Sequence, residues 1–157
     1  MNNVHIKYIF FFIIALLLQI TLVKYVRIFN WLPDLLLIVL VAYSLRKGAN
    51  AGMTAGFLTG LIQDLLSTHF IGLSALAKTI AAFTAANMAG KFSARTEYFL
   101  ALIVSALMHD LVYFLIYTLG ENFSIQSLIF LYTIPNVMYT AIVGGVLYFV
   151  MENLIYE

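Results

Sequence analysis

Apolar residues fall along this chain in six blocks, separated by short polar, charged or proline- and glycine-containing connections. The first, Tyr8 to Val23 (YIFFFIIALLLQITLV), is almost uninterrupted and predicts a helix over 8–26. Lys7 precedes it, Lys24 and Arg27 close it, and Trp31 marks an interface as amphipathic aromatics do. No A-x-A cleavage pattern accompanies it and more apolar blocks follow, so it reads as an uncleaved first span and not as a signal peptide. The remaining blocks predict helices over 32–45, 49–66, 70–89, 97–119 and 125–151. Pro33 suits the first turn of the second helix, and Asp34 beside it is placed to accept from the unpaired amides there. That capping role is the preferred reading of Asp34. The last helix is interrupted by Pro135-Asn136, where a missing backbone donor predicts a kink.

The third block carries the most informative pattern. In GANAGMTAGFLTGLIQDLL glycine recurs every fourth position, at Gly48, Gly52, Gly56 and Gly60. In a soluble helix each would cost about 1 kcal/mol relative to alanine. In lipid, helices associate by close backbone approach along small-xxx-small faces, and residues four apart line up on one face. The fourth block has a matching ladder, Ala77, Ala81, Ala85 and Ala89, beside a second one of Ser74, Lys78, Ala82, Ala86 and Gly90. The glycine stripe therefore predicts a helix-docking face. It serves either a partner's span or the neighbouring helix of the same chain.

Composition and charge sharpen this picture. The 157 residues are 64% hydrophobic and 10% charged, with a mean hydropathy of +1.01. Soluble domains carry about 25% charged residues, so the chain reads as one all-α, polytopic membrane domain, 1–157, a six-helix transmembrane bundle. A net charge of +1 gives no case for nucleic acid. With the termini inside, cytoplasmic segments hold Lys7, Arg46, Lys47, Lys91 and Arg95, and outer loops hold only Lys24 and Arg27. That bias predicts cytoplasmic termini. Five spans, with the short second segment re-entrant, is the rival topology.

A few ionisable residues lie inside the apolar blocks. Lys78 is the most costly, at roughly 2.5–3.5 kcal/mol on insertion scales, and such residues face the bundle and find partners. Lys78 lies 11 residues from Ala89, or about 16 Å at the helical rise. Asp110 lies 13 residues above Glu97, about 20 Å on the same rise. Similar depth predicts a polar cluster of Lys78, Asp110, His109 and Asn136, with Asp64 at its outer rim. Either a charge pair locks helix order there, or the cluster lines a cavity, relay or translocation path.

Candidate catalysis is thin. There is no cysteine, so thiolate nucleophiles and thiolate-bound metals are excluded. His69 and His109 have no metalloprotease spacing, Ser67, Ser74 and Ser105 have no nucleophile-elbow context, and the glycines do not form a P-loop. No catalytic residue, cofactor or metal ligand is predicted.

These features together resemble a known family. Pro33-Asp34-Leu35 opening the second span, the Arg46-Lys47 turn, Gly52/Gly56/Gly60-Leu61-x-x-Asp64-Leu65 and Ile71-Gly72-Leu73-Ser74-Ala75-Leu76 are similar in order and spacing to MreD, the rod shape-determining membrane proteins. Pro33, Asp34 and Gly72 carry the motif. The resemblance implies a non-enzymatic subunit of the bacterial elongation machinery in the inner membrane. Its implied partners are a bitopic MreC-like protein and, with it, MreB, a SEDS glycosyltransferase and a class B penicillin-binding protein. It also implies a fold like the S components of energy-coupling-factor transporters, with an internal cavity. A substrate-capturing transporter subunit is the alternative function. Against it, the A-x-x-x-A motif such subunits use in their first span is missing: Ala15 stands between Phe11 and Gln19.

Overall fold

The computed structural model describes residues 2–21, 25, 31–67, 70–119 and 124–156, with side chains described from 6 to 149 within that set. Lys24, Arg27, His69 and the turn of Gly120, Glu121 and Asn122 lie outside it. The described residues are helical in α1 (Asn2–Thr21), α2 (Leu35–Leu66), α3 (Leu73–Ala86), α4 (Ala94–Tyr117), a short α5 (Ile125–Leu128) and α6 (Ile134–Tyr156). A π-helical turn, Ile129–Thr133, joins α5 to α6. Among the described residues three stretches are long and apolar enough to cross a membrane: Leu35–Leu66, Ala94–Tyr117 and Ile125–Phe149. Ile6–Thr21 and Leu73–Ala86 are shorter apolar helices.

Helix α2 is two limbs, not one rod. Gly48 has φ 79° and ψ 180°, a region open essentially to glycine alone. The chain folds back there, so that Leu36 and Tyr43 of the first limb and Ala55 and Ile62 of the second border one apolar pocket. An added Cβ at Gly52 would stand 2.5 Å from Ser44 Oγ, whereas one at Gly48 would meet nothing within 4 Å. Gly48 thus does not belong to the packing stripe in which its spacing put it. It is the bend.

Limb 35–47 is the central post. Every residue from Leu36 to Ala42 is buried, as expected for a helix apolar all round. Around it pack α1, the second limb, α4 and α6. The outer helices keep apolar side chains exposed, among them Ile9, Phe10, Ile13 and Leu17 on α1, and Met138, Ile142, Val146 and Phe149 on α6.

The glycine stripe is filled by the chain itself. A Cβ on Gly56 would stand 2.7 Å from the Lys78 carbonyl oxygen, and one on Gly60 2.5 Å from Ala75 Cα. The second limb of α2 and α3 therefore meet backbone to backbone, antiparallel. Ala77, Ala81 and Ala85 are completely buried. Of the two occupants open to the stripe, the structure seats the neighbouring helix, so Gly52, Gly56 and Gly60 offer no surface to a partner.

Proline's missing donor has a specific consequence in the last helix. Pro135 cannot bond the carbonyl four residues back, Leu131. That oxygen instead accepts from the Trp31 indole N–H at 3.0 Å. The irregularity extends upstream of Pro135 as the π-helical turn. Trp31, expected as an interface marker, is also the partner of that freed carbonyl.

Candidate functional site

The segment Leu32–Leu35 is where the elements converge. Asp34 caps α2, its Oδ1 accepting from the Leu37 N–H at 2.9 Å. Gln19 of α1 grips both sides of this residue: its Nε2 donates to the Pro33 carbonyl at 3.2 Å, and its Oε1 accepts from Leu35 N–H at 2.9 Å. From α6, Asn136 Oδ1 accepts from Leu32 N–H at 3.3 Å and Thr140 Oγ1 from Asp34 N–H at 3.2 Å.

The second oxygen of Asp34 receives the ammonium of Lys78, which reaches it from α3 in a short, charge-assisted contact. Lys78 is wholly buried. His109 of α4 brings Nε2 to 3.8 Å from the same oxygen, and its Nδ1 lies 2.9 Å from Asp110 Oδ1. A chain of charged and polar groups thus runs from Lys78 through Asp34 and His109 to Asp110.

The expected cluster is reordered. His109 and Asp110 are paired and Asn136 borders the same chamber, but Lys78 meets Asp34 and not Asp110. The cause is the shortness of limb 35–47. Thirteen residues separate Asp34 from Lys47, about 20 Å of helix. The cap of α2 therefore lies level with Lys78 in the bundle. Asp34 combines the capping role with an ion pair.

Asp64 also takes a different place. It is buried to 1% exposure, and its two oxygens accept from Gly72, Ser74 and Ala75 N–H at 2.9, 3.1 and 3.3 Å. These are the open amides at the start of α3, where negative charge is favoured by the helix dipole. Asp64 is the cap of α3 supplied from another helix, and is not a rim charge of the cluster. Gly72, with φ 98°, turns the chain so that its own amide joins this cradle. Gly90 makes a comparable contact at the other end of α3, its N–H donating to Glu97 at 2.5 Å.

A chamber of about 590 Å³ opens beside the cluster, bordered by Asp34, His109, Asp110, Gln63 and Asn136. Its aromatic wall is a ladder on α4. His109 stacks on Tyr113 and Tyr113 on Tyr117, with centroids 6.0 Å apart in each pair. Among the described residues no group of three or more metal-ligating side chains is arranged to hold an ion. Gln19, Gln63, Tyr113 and Thr140 were not singled out by sequence. The available signal was a polar group inside an apolar run, as Gln19 is within LLLQITL.

Long apolar helices with apolar outer faces, folded around a charged cluster and the chamber beside it, define an α-helical membrane protein. Residues 2–157 match the family described as rod shape-determining protein MreD. The chain belongs to that family, and rod shape determination is the role that membership supports. No curated protein and no solved structure gives a match to the chain.

Proposed function

We propose that this protein is a non-enzymatic membrane subunit of the bacterial elongation machinery. It controls rod shape by binding an MreC-like bitopic protein and helping to organise sidewall peptidoglycan synthesis. The observation that carries this reading is the family match across residues 2–157. Through the bitopic partner it would work with MreB, a SEDS glycosyltransferase and a class B penicillin-binding protein.

In this reading the chain is a single inner-membrane domain of six crossings, counting the limbs of α2 separately. The termini are cytoplasmic. Support comes from the basic residues: Arg46 and Lys47 adjoin the Gly48 bend, and Lys91 and Arg95 flank the connection from α3 to α4. Antiparallel packing of α3 on the second limb brings these two turns to one end of the molecule. Clustered lysine and arginine favour the cytoplasmic side. The polar chamber then opens toward the outside.

With the glycine stripe occupied, a partner's span must use the outward apolar faces. On α6, Met138, Ile142, Val146 and Phe149 are each at least 60% exposed. The transporter-subunit alternative draws support from the chamber. It is weakened by Ala15, which is only 5% exposed and so offers little to a coupling subunit.

The test is gentle-detergent co-purification of the tagged protein from native membranes, with mass spectrometry of what accompanies it. Recovery of a bitopic MreC-like protein with wall synthases is the expected result. Recovery of ATPase and coupling subunits in their place would overturn the scaffold reading in favour of transport.

A further inference from the structure

The chamber holds hydrogen-bonding capacity that neither the cap of α2 nor the ion pair uses. His109 is only 7% exposed, and its Nε2 has no hydrogen-bond partner. Its other nitrogen, Nδ1, lies against the Asp110 carboxylate at 2.9 Å. With its proton on Nδ1, toward that carboxylate, a neutral His109 presents Nε2 as an acceptor. Facing Nε2, 3.8 Å away, is Asp34 Oδ2, which is also an acceptor. Gln63 Oε1, a third acceptor bordering the same space, is buried and unpartnered as well. A buried polar atom left unsatisfied is costly. All three atoms ask for donors.

Charge points the same way. Two carboxylates, Asp34 and Asp110, stand in the cluster against one ammonium, that of Lys78. The carboxylate of Asp64, held by three backbone amides at the start of α3, is a further negative charge outside this cluster. With His109 neutral, one unit of negative charge is left over in the cluster beside the stacked rings of Tyr113 and Tyr117, whose interplanar angle is 10°. Aromatic faces attract cations through their quadrupole.

We propose that the chamber is a binding site for an alkylammonium group. Its N–H donors satisfy His109 Nε2 and the Asp110 carboxylate, and its carbon portion lies along the Tyr113 ring. The group is carried either by a lipid headgroup with a primary amine or by a free small amine.

The full-length protein in nanodiscs of phosphatidylcholine and phosphatidylglycerol, which carry no primary amine, provides the test. Calorimetric titration compares phenethylamine with its neutral isostere phenethyl alcohol and its anionic counterpart 3-phenylpropionate. Saturable binding of the amine, at least tenfold tighter than either, is expected. Asp110→Asn should weaken it tenfold or more. Tyr113→Leu, which leaves every charge in place, should weaken it severalfold, so the site stays testable if the Asp110 variant does not fold. Equal binding of amine and alcohol would overturn the proposal, as would preference for the carboxylate or unchanged affinity in Tyr113→Leu. Where the amine binds, repeating the titration in phosphatidylethanolamine nanodiscs separates the sources. A lower apparent affinity there assigns the site to the lipid headgroup, and an unchanged one to a free amine.

Discussion

Asp34 and Lys78, on α2 and α3, form an ion pair in which the lysine side chain is fully buried and the carboxylate is 15% exposed. Removing one partner of such a pair costs about 3–5 kcal/mol, because the other charge is stranded. Asp34→Asn should therefore destabilise the protein by about that amount. The double variant Asp34→Asn/Lys78→Met should recover most of the loss. Denaturant unfolding in detergent micelles, run as a double-mutant cycle, measures it; strictly additive effects would show that the pair is not coupled.

Lys78→Met alone leaves Asp34 with its cap bond from Leu37 and a carboxylate that protonation can neutralise. We expect it to be milder than Asp34→Asn. Comparing accumulation in membranes and unfolding midpoints of the two variants decides this. Equal losses would contradict the asymmetry.

Asp64→Ala leaves the amides of Gly72, Ser74 and Ala75 without their acceptor. Loss of a helix cap costs about 0.5–2 kcal/mol, and burial puts this one at the upper end. Asp64→Asn, which keeps one acceptor oxygen, should cost less. Hydrogen exchange of the α3 amides should speed up in Asp64→Ala, and protection at the wild-type level would refute the cap.

Two glycines of the same four-residue spacing, one at the bend and one in the packing stripe, should fail for different reasons. Gly48→Ala has open space around it, so its cost is backbone strain, about 1–3 kcal/mol. Gly60→Ala has ordinary helical backbone but drives a methyl group into Ala75. A cysteine pair placed across α2 and α3 should therefore cross-link less efficiently in Gly60→Ala and normally in Gly48→Ala. Gly56→Leu should lower the yield of folded protein, since it meets the Lys78 backbone.

Gln19→Leu removes both bonds that tie α1 to the start of α2. At about 1 kcal/mol for each hydrogen bond, a loss of about 2 kcal/mol is expected by the same unfolding assay. A silent substitution would show that α1 is held by packing alone.

Much of the helical architecture could be read in the sequence, because apolar blocks and their punctuation report local preferences. Pro33 at a helix start and the small-residue faces between Gly52 and Ala85 depend on near neighbours and on spacing. What the sequence left obscure depends on depth and on turns. The capping role of Asp34 was legible from Pro33 beside it, but its ion-pair partner was not. Limb 35–47 is only about 20 Å long by the helical rise, and that sets the carboxylate beside Lys78. The role of Asp64 depends on how residues 67–72 return the chain to it, which no periodicity records. The stacked ladder of His109, Tyr113 and Tyr117 was visible as an i, i+4, i+8 spacing. It gained meaning only once the chamber beside it was known.

The grip of α2 on α3 at two points also bears on how the chain is made. Lys78 alone raises the cost of placing α3 in lipid by roughly 2.5–3.5 kcal/mol, and the open amides at its start add to that. Both compensating carboxylates, Asp34 and Asp64, are translated first. The α2 hairpin leaves the ribosome before α3 and, once folded, offers a receptacle for the lysine, the amides and the alanine face. Insertion of α3 is then expected to depend on the order of synthesis. In a glycosylation-mapping assay, α3 joined to an unrelated leading span should be left outside the bilayer far more often than α3 behind its own α2.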